Sequence, residues 1–121
     1  RRVVPHSPTG FAVEAGLLDE KEAVQHEQRH VLFNVVGSPD MRVEVGPAVQ
    51  LALRDTVLLA SDGLFDNLFV DEIVDTIRSG PLPEAADRLI ERVRVRMHGE
   101  ARANQPCKPD DLTVVLFRPR K

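Results

Sequence analysis

The chain of 121 residues has no tryptophan, no tyrosine and one cysteine, Cys107. A single thiol cannot form an internal disulfide, so the chain differs from small secreted domains and fits a reducing compartment. We therefore expect a cytoplasmic protein. No apolar run approaches the roughly 20 residues that span a bilayer, and no signal peptide opens the chain, so we expect no membrane partner.

An excess of positive charge is also absent, since the formal net charge is -3. This gives no electrostatic case for nucleic acid as a partner. Arginines at 88–96 alternate with apolar residues, which predicts the solvated face of a helix. The hydrophobic content of 42% can supply a core, and the length suits one domain or a piece of one. The chain opens with Arg1 rather than methionine, so we expect it to be part of something longer.

The spacing of apolar residues predicts an α+β fold in which helices are grouped beside antiparallel strands. Asp19 is a predicted N-cap, and residues 57–60 are apolar throughout, which predicts burial on both faces. Gly80 and Pro81 are expected to separate the second and third helices. The predicted helices are 19–28, one that carries Ile73, Val74 and Ile77, and one from Pro83 to Met97; the predicted strands are 41–45, 49–53, 56–60 and 112–117.

Aspartates stand at the ends of two predicted strands. In "LLASDGLFDN" (58–67) an apolar strand runs into Asp62-Gly63, with a further carboxylate at Asp66. Asp110 and Asp111 precede the last strand. If that strand pairs with 56–60, Asp62 and Asp110 converge, and oxygen-only ligands favour Mg²⁺ or Mn²⁺. The same residues also suit an ordinary Asp-Gly turn and a loop cap.

Three segments together resemble the metal-dependent protein phosphatases, the type-2C family of serine/threonine phosphatases. Residues 58–67 resemble its Ser-Asp-Gly motif, and "KPDDLTVVLF" (108–117) resembles its closing Asp-Asn-hydrophobic-Thr motif. Residues 6–37 resemble the upstream segment that runs from "GFAVEA" to a His/Arg-rich turn. The resemblance implies that residues 1–121 are the C-terminal portion of one phosphatase domain, part of a four-layer α-β-β-α sandwich with antiparallel sheets.

The resemblance implies an enzyme that hydrolyses phosphoserine and phosphothreonine esters of proteins with a water bridging two divalent ions, Mn²⁺ or Mg²⁺, two or more per complete site. Asp62 and Asp110 would be metal ligands, with Asp66 a ligand of an accessory ion. No catalytic side chain is expected beyond the ligands. The partners would be a phosphorylated protein and a cognate serine/threonine kinase. The residues expected to support the ligands are Ser61, Gly63 and Asp111.

Two departures from the family pattern bear on activity. Asp111 stands where the family usually has asparagine. The family's N-terminal half supplies another Asp-Gly motif and a phosphate-binding arginine, and neither precedes Arg1. We therefore expect these 121 residues alone to be inactive and to dimerise, aggregate or fold poorly. The non-enzymatic alternative is a pseudophosphatase or regulatory module that keeps the fold without catalysis.

A third alternative comes from "HEQRH" (26–30), which has the H-E-x-x-H pattern of zinc peptidases. On a helix, His26 and His30 would share one face, with Glu27 as general base. The extended form of this motif needs a histidine at position 36, where the chain has Val36. The phosphatase resemblance instead interprets these histidines as a helix end and a turn.

Overall fold

The structure, a computed structural model, describes residues 2–100 and 105–120, so part of the predicted loop at 99–111 lies outside the described residues. The chain divides into two compact units, Arg1–Ala48 and Val49–Lys121. The helices are α1 (Pro8–Glu14), α2 (Glu20–Gln25), α3 (Asp62–Phe65), α4 (Val70–Ile77) and α5 (Leu82–Val95), and the strands are β1 (Val57–Ala60) and β2 (Val114–Phe117). A 3₁₀ turn covers Glu27–His30, and a π-helical turn follows α5 at Arg96–Glu100. Among the described helices, none has the length and apolar character to cross a membrane.

Side-chain caps define both helices of the first unit. The Asp19 carboxylate accepts from the Glu22 amide (3.0 Å), and Glu22 Oε2 accepts from the Asp19 amide (3.1 Å), which confirms the predicted N-cap. The helix ends at Gln25 rather than at residue 28. The preceding helix, α1, has no counterpart in the periodicity, and it begins after Ser7, whose Oγ accepts from the Gly10 amide (3.0 Å).

An antiparallel pair of strands forms one layer of the second unit, with Val57 opposite Phe117 and Ala60 opposite Val114. Alternate residues face the core because side chains alternate along a strand. On the other face, Leu59, Val115 and Phe117 are 66%, 53% and 55% exposed. The prediction that 57–60 is buried on both faces is therefore wrong for the outer face. The side chains on the inner face that pack against the core are Leu58, Ala60, Val114 and Leu116.

Helices α4 and α5 form the second layer and cover the inner face of the sheet. Ile73 and Ile77 lie one turn apart on α4, and Leu89 and Val93 lie one turn apart on α5, so each pair projects from one side of its helix. Val74, which was expected to lie beside them, is 49% exposed because it is rotated by about 100° around the axis. Helices over an antiparallel sheet are the α+β arrangement that the sequence predicts.

Arg118 joins the end of α4 to the start of β1. Its guanidinium donates to the carbonyls of Ile77 (2.9 Å) and Gly80 (2.8 Å), and to Thr56 Oγ1 (2.9 Å). The Ile77 carbonyl lies at a helix C-terminus, where no further helical amide is available as a donor. Gly80 has a φ of 84°, a left-handed conformation that glycine adopts without strain. One side chain thus fixes the turn between α4 and α5 against the sheet.

Two predicted strands are wrong. Residues 41–45 and 49–53 form no strand, and β1 and β2 are the strands found in the described part of the chain. Alternation of apolar and polar residues predicts a strand only where a neighbouring strand accepts its backbone hydrogen bonds. Residues 52–55 form a turn instead, in which the Asp55 amide donates to the Ala52 carbonyl (3.0 Å).

The prediction of a solvated arginine face at 88–96 is wrong at its last residue. Arg96 is 7% exposed, and its Nη2 donates to Glu72 Oε1 (2.8 Å). Arg92 reaches the same carboxylate oxygen at 3.4 Å. Glu72 on α4 therefore pairs with two arginines, Arg92 of α5 and Arg96 of the π-helical turn that follows it. The Arg96 guanidinium is buried instead of lying on the surface as predicted.

Shortening a core side chain of α5 should destabilise the second unit. We expect Val93→Ala to lower the free energy of unfolding by about 2 kcal/mol, because Val93 is 0% exposed and its lost methyl groups leave a cavity. The matched control is Val95→Ala on the same helix, where the side chain is 39% exposed and a change within about 0.5 kcal/mol is expected. Urea unfolding followed by circular dichroism measures both, and equal losses would contradict this core.

The exposed sheet face should make the isolated 121 residues associate. We expect dimers or larger species in light scattering after size-exclusion chromatography, because exposed apolar side chains gain free energy when they are buried. The double variant Leu59→Thr/Val115→Thr should reduce association. Val74→Thr removes an exposed apolar side chain from α4 instead and should leave it unchanged. A monodisperse monomer with a cooperative melting transition would count against this expectation.

Candidate metal centre

The pairing of β1 with β2 brings the two aspartate motifs to one edge of the sheet. Because the strands are antiparallel, the end of β1 lies beside the start of β2. Asp62 comes two residues after β1, and Asp110 comes four residues before β2. The Ser61 amide donates to the Thr113 carbonyl (3.0 Å), which continues the contact one step beyond the strands.

Three carboxylates meet at this edge. Asp62, Asp66 and Asp110 each offer one oxygen, and these oxygens lie within 4.8 Å of one another. Asp62 and Asp66 are four residues apart across α3, so they project from the same side of this short helix. Asp110 comes from the loop before β2. The structure thus brings together the three residues that the sequence predicts as metal ligands, and their role as ligands stays a prediction.

Gly63 allows the two motifs to approach each other. A Cβ at this position would overlap with the carbonyl oxygen of Asp111 and would lie 3.6 Å from Cβ of Asp110. Any other residue would push the loop before β2 away from α3. The close approach of backbone to backbone explains why the aspartate that follows the apolar strand is itself followed by glycine.

The Ser61 hydroxyl fixes the same loop from the strand side. Its Oγ donates to the Asp111 carbonyl (3.1 Å) and accepts from the Thr113 amide (3.0 Å). Ser61 therefore uses one side chain to satisfy two backbone groups of the segment that enters β2. These contacts hold the position of Asp110 relative to α3.

Asn67 is the central residue of the site that the sequence analysis did not identify. It is 0% exposed, and its Nδ2 donates to the carbonyls of Gly63 (2.9 Å) and Lys108 (2.8 Å). Its Oδ1 accepts from the Lys108 amide (2.8 Å). The position of Asn67 inside the quoted motif, directly after Asp66, was the available signal.

Lys108 was also missed, although it opens the closing motif. Its ammonium donates to Asp66 Oδ2 (2.8 Å) and lies 3.0 Å from Asp110 Oδ2. Two hydrogen bonds hold the pKa of Lys108 above its ordinary value, and the bond to Asp66 contributes more than the bond to Asp110. The pKa of Asp110 is lowered by the hydrogen bond from Lys108 and then by the Asp111 amide. All of these contacts favour the charged forms.

Asp111 contributes its backbone rather than its carboxylate. The Asp111 amide donates to Asp110 Oδ1 (2.8 Å), and its carbonyl accepts from Ser61. The side chain is exposed and does not join the cluster of three carboxylates. The amide bond orients the Asp110 carboxylate, so this position supports a predicted ligand whether its side chain is aspartate or asparagine.

The donor set fits a hard divalent cation. All three donors are carboxylate oxygens, the ligands that Mg²⁺ and Mn²⁺ prefer. Two oxygens on one Mg²⁺ lie up to about 4 Å apart, because each bond is about 2.1 Å long. A separation within 4.8 Å therefore needs only small side-chain movements. The Lys108 ammonium, itself a cation, already contacts two of these carboxylates, which shows that the cluster accommodates positive charge.

The local structure does not support a zinc site at 26–30. His26 has an extended backbone (φ -69°, ψ 141°) and separates α2 from the 3₁₀ turn Glu27–His30. His26 and His30 therefore do not lie one turn apart on an α-helix. Nδ1 of His26 accepts from the Gln28 amide (3.1 Å), and Nε2 of His30 accepts from Arg29 (3.1 Å). Among the residues the structure describes, the group of three or more possible ligands found is the aspartate cluster.

The chain was compared with protein-family models and with curated proteins. No protein-family model matches the chain. The chain is 32% identical over 97 residues to a protein of Streptococcus pyogenes serotype M6 named "Putative protein phosphatase 2C-type". The matched segment is 75% of this chain and 37% of the relative. The chain therefore corresponds to well under half the length of the relative it matches.

Replacing Gly63 should distort the carboxylate cluster without changing any of the three predicted ligands. We expect Gly63→Ala to lower the free energy of unfolding by about 1–3 kcal/mol, because the added methyl group displaces the Asp111 backbone. It should also weaken Mn²⁺ binding in isothermal titration calorimetry. Gly46→Ala is the control, since a Cβ there meets nothing within 4 Å. Equal behaviour of the two variants would contradict the close approach at Gly63.

Proposed function

We propose that this chain is the C-terminal portion of a metal-dependent serine/threonine protein phosphatase domain of type 2C. The observation that carries the proposal is the convergence of Asp62, Asp66 and Asp110 at one edge of the β1–β2 sheet. The similarity to a protein named as a type-2C phosphatase supports it independently. Both observations support a protein phosphatase, and we infer metal dependence from the carboxylate cluster and serine/threonine specificity from the type-2C resemblance.

In this proposal the chain holds metal through its aspartates. Asp62 and Asp110 would together hold the ion, the first carried by α3 and the second by the loop that Ser61 and Asn67 anchor. Mn²⁺ or Mg²⁺ held there would neutralise phosphoryl oxygens and activate water for attack on phosphorus. The contribution of this chain is to position the aspartates, because hydrogen bonds fix the backbone segments that carry them.

The proposal also completes the fold. The exposed outer face of the sheet, with Leu59, Val115 and Phe117, suits a second antiparallel sheet packed against it. This would give the four-layer α-β-β-α sandwich, with the N-terminal half of the domain supplying the second sheet, further metal ligands and an arginine for phosphate. The substrate would be a phosphorylated protein in the cytoplasm, opposed by a cognate serine/threonine kinase.

One observation favours the non-catalytic alternative. Lys108 already neutralises part of the carboxylate cluster, so the chain can hold Asp66 and Asp110 together without a metal ion. A pseudophosphatase or regulatory module could keep the fold in this way. The two functions differ in a direct measurement of turnover.

We expect the full-length protein that contains this chain to release phosphate from a phosphothreonine peptide only when Mn²⁺ is present. Asp62→Ala and Asp110→Ala should each lower kcat/KM by more than about 100-fold, since even the outer partners of metal ligands are worth roughly 10- to 100-fold. The matched control is Asp75→Ala, which removes an exposed carboxylate of α4 paired with Arg78 and should leave turnover unchanged.

Two other results would redirect this interpretation. Absence of turnover in a folded full-length protein would favour the non-catalytic module. Turnover that survives in both Asp62→Ala and Asp110→Ala would contradict the assignment of these residues as ligands.

A further inference from the structure

Lys108 lies within the carboxylate cluster as a fixed positive charge. Its Nζ is 2.8 Å from Asp66 Oδ2 and 3.0 Å from Asp110 Oδ2. The three side chains are 31%, 19% and 33% exposed, respectively, so the contacts lie partly out of solvent. The ammonium thus contacts two of the three carboxylates that would bind a divalent ion.

The backbone of Lys108 is held in place, which distinguishes it from an ordinary surface lysine. Both its amide and its carbonyl are bonded to the buried side chain of Asn67 at 2.8 Å. Only the four-carbon stem remains free to move. An exposed ion pair usually loses most of its benefit to side-chain entropy and solvent. Because the Lys108 main chain is already ordered, its ion pairs cost only the ordering of the side chain.

The contacts divide the cluster into two sides. On one side, Lys108 bonds Oδ2 of both Asp66 and Asp110. On the other, the Asp62 carboxylate has no hydrogen bond or ion pair with the part of the chain that the structure describes. Asp62 is therefore the carboxylate most available to a cation, and Asp66 is the one most committed to Lys108.

Charge counting gives the same division. The three carboxylates carry three negative charges when ionised, and the ammonium cancels one of them. A single divalent cation matches the two charges that remain. Without the ammonium, the uncompensated carboxylate at Asp66 would favour one more bound cation.

We propose that Lys108 is an internal counter-ion that occupies the Asp66–Asp110 side of the centre and so limits how many divalent ions this chain's aspartates take up. The inference rests on the proposed function, since it assumes that the cluster is a metal centre. In this arrangement Asp62 and Asp110 bind the divalent ion, and Asp66 binds the Lys108 ammonium instead. Lys108 is a residue that sets cation occupancy rather than a catalytic residue.

The test is Mn²⁺ titration of the full-length protein by isothermal titration calorimetry, which needs no turnover. Lys108→Met should bind one additional Mn²⁺ per chain or bind Mn²⁺ about tenfold more tightly, a modest factor because the groups are partly solvated. Lys108→Arg keeps the charge and should match the unsubstituted protein. Arg78→Met, which removes an exposed cation from Asp75, is the control for a general loss of positive charge.

Thermal unfolding provides a second readout. In chelator, Lys108→Met should melt at a lower temperature than the unsubstituted protein, because Asp66 and Asp110 lose their shared partner. Added Mn²⁺ should raise its melting temperature by more than it raises that of the unsubstituted protein. If Lys108→Met does not fold, Lys108→Gln removes the charge while keeping a hydrogen-bond donor and carries the same expectation.

The outcomes separate this inference from the proposed function. If the unsubstituted protein binds Mn²⁺ and the neutral variants bind it equally or more weakly, the counter-ion role is overturned and the metal centre stands. Binding of Mn²⁺ by the neutral variants alone would support the inference in its strongest form. If no folded variant binds Mn²⁺, the metal centre itself is overturned, and the inference with it.

Discussion

The buried amide of Asn67 is the constraint on which the candidate centre depends. A fully buried amide is costly unless its donors and acceptor are satisfied, and Asn67 satisfies them with the backbone of Gly63 and Lys108. These partners belong to segments about 40 residues apart, as the separation of 41 between Asn67 and Lys108 shows. One segment carries Asp62 and Asp66, and the other carries Asp110. The geometry of the carboxylates is thus set by an uncharged side chain beneath them.

Local patterns in the sequence predict α4, α5, β1 and β2 well. The apolar spacing in α4 and α5 and the apolar runs of β1 and β2 are signals that a few neighbouring residues carry by themselves. The strands predicted at 41–45 and 49–53 fail because a strand also needs a partner, which alternation cannot supply. The prediction that Arg96 is solvated fails for the same reason, because it depends on a partner, Glu72, that lies on another helix.

Some residues of the candidate site can likewise be recognised from the local sequence, and others only from the fold. Aspartates that follow or precede apolar strands can be recognised from the sequence, and the convergence of Asp62 with Asp110 follows from pairing β1 with β2. Asn67 and Lys108 have no such signal, because an amide that bonds a distant backbone and a lysine that bonds two carboxylates look like ordinary polar residues. Their positions inside the two motifs were visible, but their contacts required the fold.

The pairing of β1 with β2 has a consequence for the order of events during synthesis. Ser61 and its partner Thr113 are separated by 52 positions, so the ribosome makes β1 well before β2. At roughly 5–20 residues per second, β1 waits several seconds with its hydrogen-bonding edge unpaired. A nascent chain at this stage carries Asp62 and Asp66 at the two ends of α3 but lacks the segment that contributes Asp110. Translation of the segment that contains Asp110 and β2 is therefore the step that completes the carboxylate cluster, and a ribosome stalled before Val114 would hold β1 without its partner strand, open to aggregation.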